Sequence, residues 1–447
     1  MNYDLSRFLL AICLGLCLSC TDNGIIDQEE MNENTVETEI NKWVYDRMKH
    51  YYLWYDQLPE EKTLQYGQDP SSFFYSLLAD DDGKNGALYS RIEYDKSLLR
   101  SSSQDDKTYG FEYRLIRVAG RDELIAQILY VYKNSPAADA GLKRGELILS
   151  INGNPLTSSN YADYLDNPQT AAEMQMGEMV SSTHFCKSRL VKIEKPTSIK
   201  ENPIYMDTVI HIQNRNIAYL MYNSFDDDLR MAFRKFKEQQ ADEFILDLRY
   251  NHGGSVSCAQ LLATMLIPKE YLGKEFVYLK YNELINKQED ILFDKSIIGR
   301  GVNMDLSHLY IITGNETASA SEAIINGIRP YLNANLIQVG ETTFGKNVGQ
   351  ILLTNEKWQS LEVWPTAFYL FNSEDYGDYS EGLRPDIECQ EGLQIGELAT
   401  PDDPLFSAVL SIMNGNGQMP ATLRSDNGSY EIVHSSLSRK RPLAYYR

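Results

Sequence analysis

The sequence predicts an α/β core carried behind a β-rich domain and an N-terminal helical region. Three observations predict it. From residue 202 onward, short apolar runs alternate with helical patterns, as in EFILDL at Glu243 to Leu248 and LYIIT at Leu309 to Thr313. Runs without polar interruption are strands buried on both faces, and such strands separated by helices build crossover-connected layers. Between residues 104 and 196, short strand patterns punctuated by glycine turns replace that alternation. Between residues 40 and 103, apolar side chains fall at helical spacing.

The chain has 447 residues, 43% of them hydrophobic, which is enough for two or three domains. A net charge of −21 excludes nucleic acid as a partner, because phosphates need basic patches. Phe8 to Ser19, FLLAICLGLCLS, follows Arg7 and is too short to cross a bilayer, but it has the length of a secretory signal core. It ends at Ser19-Cys20, after which Thr21, Asp22 and Asn23 are polar. A small residue before a cysteine at that boundary resembles a bacterial lipoprotein signal. That resemblance implies a signal over residues 1–20, lipidation of Cys20, and export to the cell envelope on the periplasmic or outer-membrane side. Contact with a membrane would then be through the lipid alone. Residues 21–39 are acidic and polar and read as a tether. Ile40, Trp43, Val44, Met48 and Tyr51 mark a helix, and Asp69-Pro70 caps a second one with Phe73, Phe74, Leu77 and Leu78 on one face. Residues 83–103 read as loop. The body holds three cysteines, Cys186, Cys258 and Cys389, and neither C-x-x-C nor H-E-x-x-H, so neither a disulfide scaffold nor a zinc site is expected.

In the β-rich part, Tyr113 to Val118 and Leu124 to Tyr132 read as strands. NSPAADAGLKRGELILSINGNPL, Asn134 to Leu156, then contains a short helix, a tight turn, a strand at Ile148 to Asn152 and an Asn152-Gly153 hairpin turn. This segment resembles a PDZ domain. In such domains a peptide's C-terminus adds as an extra strand. The resemblance places the carboxylate-binding loop at Tyr109, Gly110 and Phe111 and implies polypeptide partners held by their C-termini.

Three loops follow strands of the α/β part, where functional loops of such sheets gather: Asn251-His252-Gly253-Gly254, TASASE at Thr317 to Glu322, and FGKN at Phe344 to Asn347. Ser319 and Glu322 spell a capping box for a helix from Ala320 to Ile328. The same position suits a nucleophile, because a helix start supplies backbone N–H groups for an oxyanion. A serine hydroxyl needs a base, and a lysine can serve only when burial or a nearby cation makes it neutral. Lys346 lies between the apolar Phe344 and Val348, and Gln350 falls on the same face of an extended segment, where its carbonyl can orient the amine. Gly340 to Lys346 also spells G-x-x-x-x-G-K. Asn347 replaces the expected Ser/Thr, and VGQILLT reads as strand rather than helix, so phosphate binding is set aside.

LDLRYNHGGS, TGNETASASE, VGETTFGKNVGQ, EGLRPDI and DDPLFSAVL occur in order behind the PDZ-like segment. Together they resemble the carboxyl-terminal processing (tail-specific) serine proteases. The resemblance implies a protease core of crotonase-like β/α layers over residues 202–415, after a PDZ-like domain at 104–196. It implies Ser319 as nucleophile, Lys346 as base, Gln350 as its orienting residue, the N–H groups of Gly254 and Ala320 as oxyanion donors, and no metal or cofactor. The stretch between serine and lysine is slightly longer than the family pattern at Pro330 to Leu336. By spacing alone Ser321 fits better, and Ser319 is preferred because an inserted turn is easier than a shifted serine. His252 matches a variable slot. Asp247, Arg249, Glu322 and Glu341 read as structural. Residues 416–447 are either a tail or an added strand around Tyr430 to Val433. A non-catalytic or partner-activated peptide-binding lipoprotein on the same fold is the alternative function.

Overall fold

The computed structural model describes residues 28–94, 107–181, 183–212, 214–226, 228–415, 430–440 and 443–446. The leader and Cys20 lie outside them.

Helix α1 (Gln28–Tyr51) begins inside the expected tether, so Gln28 to Glu39 is helical. The buried apolar positions along its second half are Ile40, Val44, Tyr45 and Met48, one face at helical spacing, with Asn41 buried beside them and donating to Tyr66 O and Gln68 O. Helix α2 (Pro70–Tyr75) starts as the Asp69-Pro70 signal requires, with the Asp69 carboxylate accepting from Ser71 and Ser72 N–H. Phe73 and Phe74 pack beneath α1. The segment expected to be loop contains strand β1 (Arg91–Tyr94). This correction matters for the site, because the strand carries Tyr89 and Ser90 with it to the protease core.

The β-rich domain is one sheet. Strands β2 (Phe111–Val118), β3 (Leu124–Val131), β4 (Leu147–Ile151), β5 (Ala172–Ser181) and β6 (His184–Ile193) lie in the order β6-β5-β4-β3-β2. Helix α3 (Pro136–Asp139) occupies the SPA segment, with Ser135 as its N-cap. Asn152 and Gly153, at φ 52° and 80°, form the hairpin turn that the Asn-Gly pair demands.

The α/β part has two sheets. The first is built from β7 (Ile204–Ile212), β8 (Arg215–Tyr222), β9 (Glu243–Asp247), β13 (Leu309–Thr313), β14 (Leu336–Gly340) and β19 (Ile387–Glu388), in that order and parallel from β8 onward. The second contains β10 (Gly253–Ser255), β11 (Glu275–Tyr281), β12 (Gln288–Leu292), β15 (Val348–Ile351) and β18 (Thr366–Asn372). Between β15 and β18, β16 (Leu353–Asn355) and β17 (Trp358–Trp364) form a ribbon whose β17 pairs with β1. Helices α4 (Arg230–Glu238), α5 (Val256–Leu266) and α6 (Ala320–Leu332) fill the space between the sheets. The period of two along β8 divides the core: Ala218, Leu220 and Tyr222 face these helices, while Ile217, Tyr219 and Met221 face helix α7 (Pro404–Met413) and the β-rich domain.

The chain ends in two further strands, β20 (Tyr430–Ser435) and β21 (Leu443–Tyr446). The first joins the sheet of the β-rich domain beside β2, and the second lies inside the second protease sheet between β10 and β15.

Candidate active site

The serine turn leaves β13 at its C-terminal end and is pinned by polar contacts to the turn itself and to the loop after β9. Thr317 Oγ1 donates to Leu248 O at 2.7 Å and accepts from Gly314 N–H at 2.9 Å. Ala318 N–H donates to Asn251 O at 3.0 Å, which ties the turn to the loop after β9. Ser319 then takes φ 62° and ψ −113°, a region that L-residues avoid, and α6 begins at Ala320. An N-cap serine ordinarily has extended backbone. Ser319 is the N-cap of α6 and the Ser319–Glu322 pair takes the capping-box arrangement, with Glu322 Oε2 accepting from Ser319 N–H at 2.7 Å, while Ser319 Oγ, wholly buried, is outside good hydrogen-bond geometry with any described residue. Ser319 is thus the N-cap that S-x-x-E predicts, at a backbone geometry that the pattern does not. Ser321, the alternative, is buried with its Oγ donating to Asn251 O at 3.2 Å.

The lysine loop docks on this turn. Phe344 N–H donates to Thr317 O at 2.8 Å. Glu322 Oε1 accepts from Thr343 Oγ1 at 2.6 Å and Gly345 N–H at 2.7 Å, and its Oε2 accepts from Lys346 N–H at 2.8 Å as well as from Ser319 N–H. One carboxylate oxygen thus holds the backbones of both Ser319 and Lys346. Burial pushes the Glu322 carboxyl above its usual range, and the four donors pull against that. Glu322 reads as structural in the sequence; it is the clamp of the site. Gly345 sits at φ 92°, where a Cβ would lie 2.2 Å from Ser380 O, so only glycine lets the loop approach this closely. After Lys346 comes strand β15, not the helix that would cradle a phosphate.

Lys346 is wholly buried, and burial lowers its amine to about 7; Asp82 and Glu322 oppose that shift and Arg91 adds to it. Much of the cover comes from the N-terminal region. The Tyr89 ring lies 5.0 Å from Lys346 Nζ, and Tyr89 O accepts from Gln350 Nε2 at 3.0 Å. That bond ties the nitrogen end of the Gln350 amide and leaves its buried Oε1 without a hydrogen-bond partner among the described residues. Behind Tyr89, Asp82 accepts from Tyr52 Oη and Thr366 Oγ1, both at 2.9 Å, and from Ser90 N–H at 3.1 Å, locking the N-terminal segment to β18. The sequence carries no local signal for Tyr89 or Asp82.

Gly253-Gly254 forms the facing wall. Gly254 has φ 142°, and a Cβ there would meet Phe225 N and O at 2.8 Å. Phe225 N–H donates to Gly253 O and Ser255 N–H donates to Phe225 O, both at 2.9 Å. Alternation along the strand then turns the Gly254 N–H to the opposite edge. Ala320, as the first residue of α6, has no intrahelical acceptor for its N–H. His252 is buried, and burial lowers its ring to about 3; its Nε2 lies 3.3 Å from Glu316 rather than against the serine. Asp247 and Arg249 form a buried ion cluster with Asp403 and Glu391, Arg249 reaching Asp403 Oδ2 at 2.6 Å and Glu391 Oε1 at 2.7 Å. Arg144 of the β-rich domain joins Glu391, so the cluster fastens that domain to the core. Tyr109 and Phe111 are buried in the core of the β-rich domain, which leaves only their backbone for a ligand, and Gly110 N–H donates to Thr108 Oγ1 at 3.0 Å.

An α/β core that brings a strained serine and a buried lysine together beside a PDZ domain is that of a serine-type peptidase. The chain belongs to peptidase family S41: the family model matches residues 216–389, the S41 N-terminal domain residues 39–91, and a PDZ domain residues 127–174. A solved S41 protease from Bacteroides fragilis is 30% identical, with a TM-score of 0.73 over 84% of this chain and 98% of that one. A carboxyl-terminal-processing protease of Picosynechococcus is 23% identical over 68% of this chain and 73% of its own. The carboxy-terminal processing protease CtpA of Bacillus subtilis is 24% identical over 71% of this chain and 66% of its own. The chain spans 48% of a CtpA-like serine protease from Staphylococcus epidermidis. The photosystem II D1 C-terminal processing protease, 17% identical with a TM-score of 0.50, shares the fold.

Proposed function

We propose that this peptidase cleaves exported polypeptides with a Ser319–Lys346 dyad. Neutral Lys346 takes the proton of Ser319 Oγ as that oxygen attacks a peptide carbonyl. The N–H groups of Gly254 and Ala320 receive the oxyanion, and the resulting ammonium protonates the leaving amine. Water, deprotonated by the same lysine, then releases the acyl group. Gln350, held through Tyr89 O, presents its Oε1 to orient the amine. The observation that carries this reading is the single Glu322 oxygen accepting from both Ser319 and Lys346 N–H, with a hydroxyl unpartnered among the described residues on one and an amine lowered to about 7 on the other. The PDZ loop at Tyr109, Gly110 and Phe111 receives substrate C-termini through its backbone. Residues 1–20 direct export, and lipidated Cys20 anchors the enzyme in the cell envelope.

The test is cleavage of an unfolded protein with an apolar C-terminal tail by wild type, Ser319→Ala and Ser321→Ala. Loss in Ser319→Ala alone supports the assignment. Equal cleavage by wild type and Ser319→Ala rejects it. A latent, partner-activated form rather than a constitutively open one is favoured by one observation: Ser319, Lys346 and Gln350 are all 0% exposed.

A further inference from the structure

Both edges to which a peptide would add are already occupied, and by the same segment of this chain. The outer edge of β2, directly after the Tyr109–Phe111 loop, is paired antiparallel with β20 in the register Ile432 to Ile116 and Ser435 to Arg114. That strand runs toward the loop, as a captured C-terminus would. Val433 packs against the domain's core, and the His434 ring lies 4.9 Å from the Tyr161 ring and 6.1 Å from that of Tyr113. Next to the loop the chain continues instead of ending, and Ser436 Oγ accepts the Tyr113 N–H at 2.8 Å.

The catalytic cleft is filled in the same way. Strand β21 lies parallel to both β10 and β15, with Gly254 opposite Ala444 and Gln350 opposite Tyr445. Because Phe225 occupies the other edge of β10, the Gly254 N–H faces β21, and parallel register sets it against the Leu443 carbonyl. The donor assigned to the oxyanion therefore carries a peptide carbonyl of the enzyme itself. Tyr445 Oη donates to Asp226 Oδ1 at 2.7 Å, and its ring meets Trp364 edge-on at 5.4 Å, which fixes the strand in place.

We propose that the two C-terminal strands are a tethered peptide ligand that fills the PDZ edge and the catalytic cleft together and holds the protease latent. The inference rests on the cleft assigned above. A substrate must displace a segment made effectively concentrated by its own attachment. Extended polypeptides long enough to span both edges are the ligands that compete with it.

The experiment compares the full chain, a chain ending at residue 429, and the full-length variant Tyr445→Pro, each with and without Ser319→Ala. Proline at 445 removes the N–H that the ladder uses, so it releases β21 without deleting β20. The expected result is a rise in kcat/KM of about tenfold or more in both released forms. A fluorescent peptide of residues 430–447 should also bind the truncated chain, inhibit it competitively, and fail to bind the full chain. Unchanged or lower kcat/KM in a Tyr445→Pro protein that keeps its fold by circular dichroism overturns the proposal. So does absence of peptide binding to the folded truncated chain, or Ser319-dependent removal of the tail by the wild-type enzyme. If no form cleaves, the dyad assignment fails, and peptide binding still decides whether the tail occupies the two edges.

Discussion

Ser319 and Lys346 are prepared by different parts of the molecule. The serine is set inside the protease core: Glu322 accepts its N–H, and Thr317 and Ala318 tie the turn to Leu248 and Asn251 of the loop after β9. The lysine has a local backbone anchor, but its proton affinity is set by segments far away in the chain. Tyr89 covers it, and Asp82 and Arg91 count among the charges acting on it. Nucleophile geometry is thus set within the protease core, and base strength also by the N-terminal region that covers it. Substitutions near the serine should change how fast the reaction runs. Substitutions in the N-terminal cover should change the pH at which it runs.

The largest effects fall on the two reacting groups. Ser319→Ala and Lys346→Met are each expected to lower kcat/KM by about ten-thousand-fold or more, as for members of a catalytic unit. Only the lysine variant should also gain stability. Its folded pKa, about 7, lies below the unfolded value of ~10.4. Below pH 7 both states hold the proton and burial of the charge is fully destabilising; between the two values the unfolded state binds a proton that the folded state does not, so wild-type stability rises with pH. Thermal melts should show Lys346→Met above wild type at pH 6, with the gap narrowing toward pH 9.

Glu322→Gln comes next. An amide cannot accept from four donors arranged two to each oxygen, so the serine and lysine backbones separate. A loss of about a hundredfold in kcat is expected, with the pH midpoint staying near or slightly below 7. Tyr89→Ala is the smallest of these. It admits water to Lys346 and weakens the burial that chiefly lowers its pKa, so kcat/KM at pH 7 should fall about tenfold and recover at higher pH. If Glu322→Gln moved the pH profile and Tyr89→Ala did not, the division between geometry set in the protease core and tuning from the N-terminal cover would be wrong.

What the sequence discloses follows the same division. Apolar runs locate β9, β13 and β14, Asp69-Pro70 locates α2, and the TASASE and FGKN motifs locate the two reacting side chains, because each signal is local. The capping-box pattern finds Ser319 and Glu322 as cap and partner, but S-x-x-E carries no trace of the strained Ser319 φ or of the lysine-loop donors that Glu322 also accepts. Residues 83–103 lack periodicity and read as loop, yet Tyr89 meets Gln350 from there; a contact across such a separation leaves no pattern in either segment. The last residues show the same limit. A strand around Tyr430 is one of two readings of the tail, but which edge it joins depends on pairings hundreds of residues away. The acidic character of residues 21–39 masks a helix that starts at Gln28, because solvated helices and tethers share composition.

The most direct measurement is the pH dependence of kcat/KM for cleavage of an unfolded protein by wild type and Tyr89→Ala, with Ser319→Ala as the blank. A single rise with a midpoint near 7 is expected in wild type, moved upward in Tyr89→Ala, with no cleavage in the blank. A midpoint at ~10, the value of an ordinary lysine, or a blank that cleaves like wild type, would contradict it.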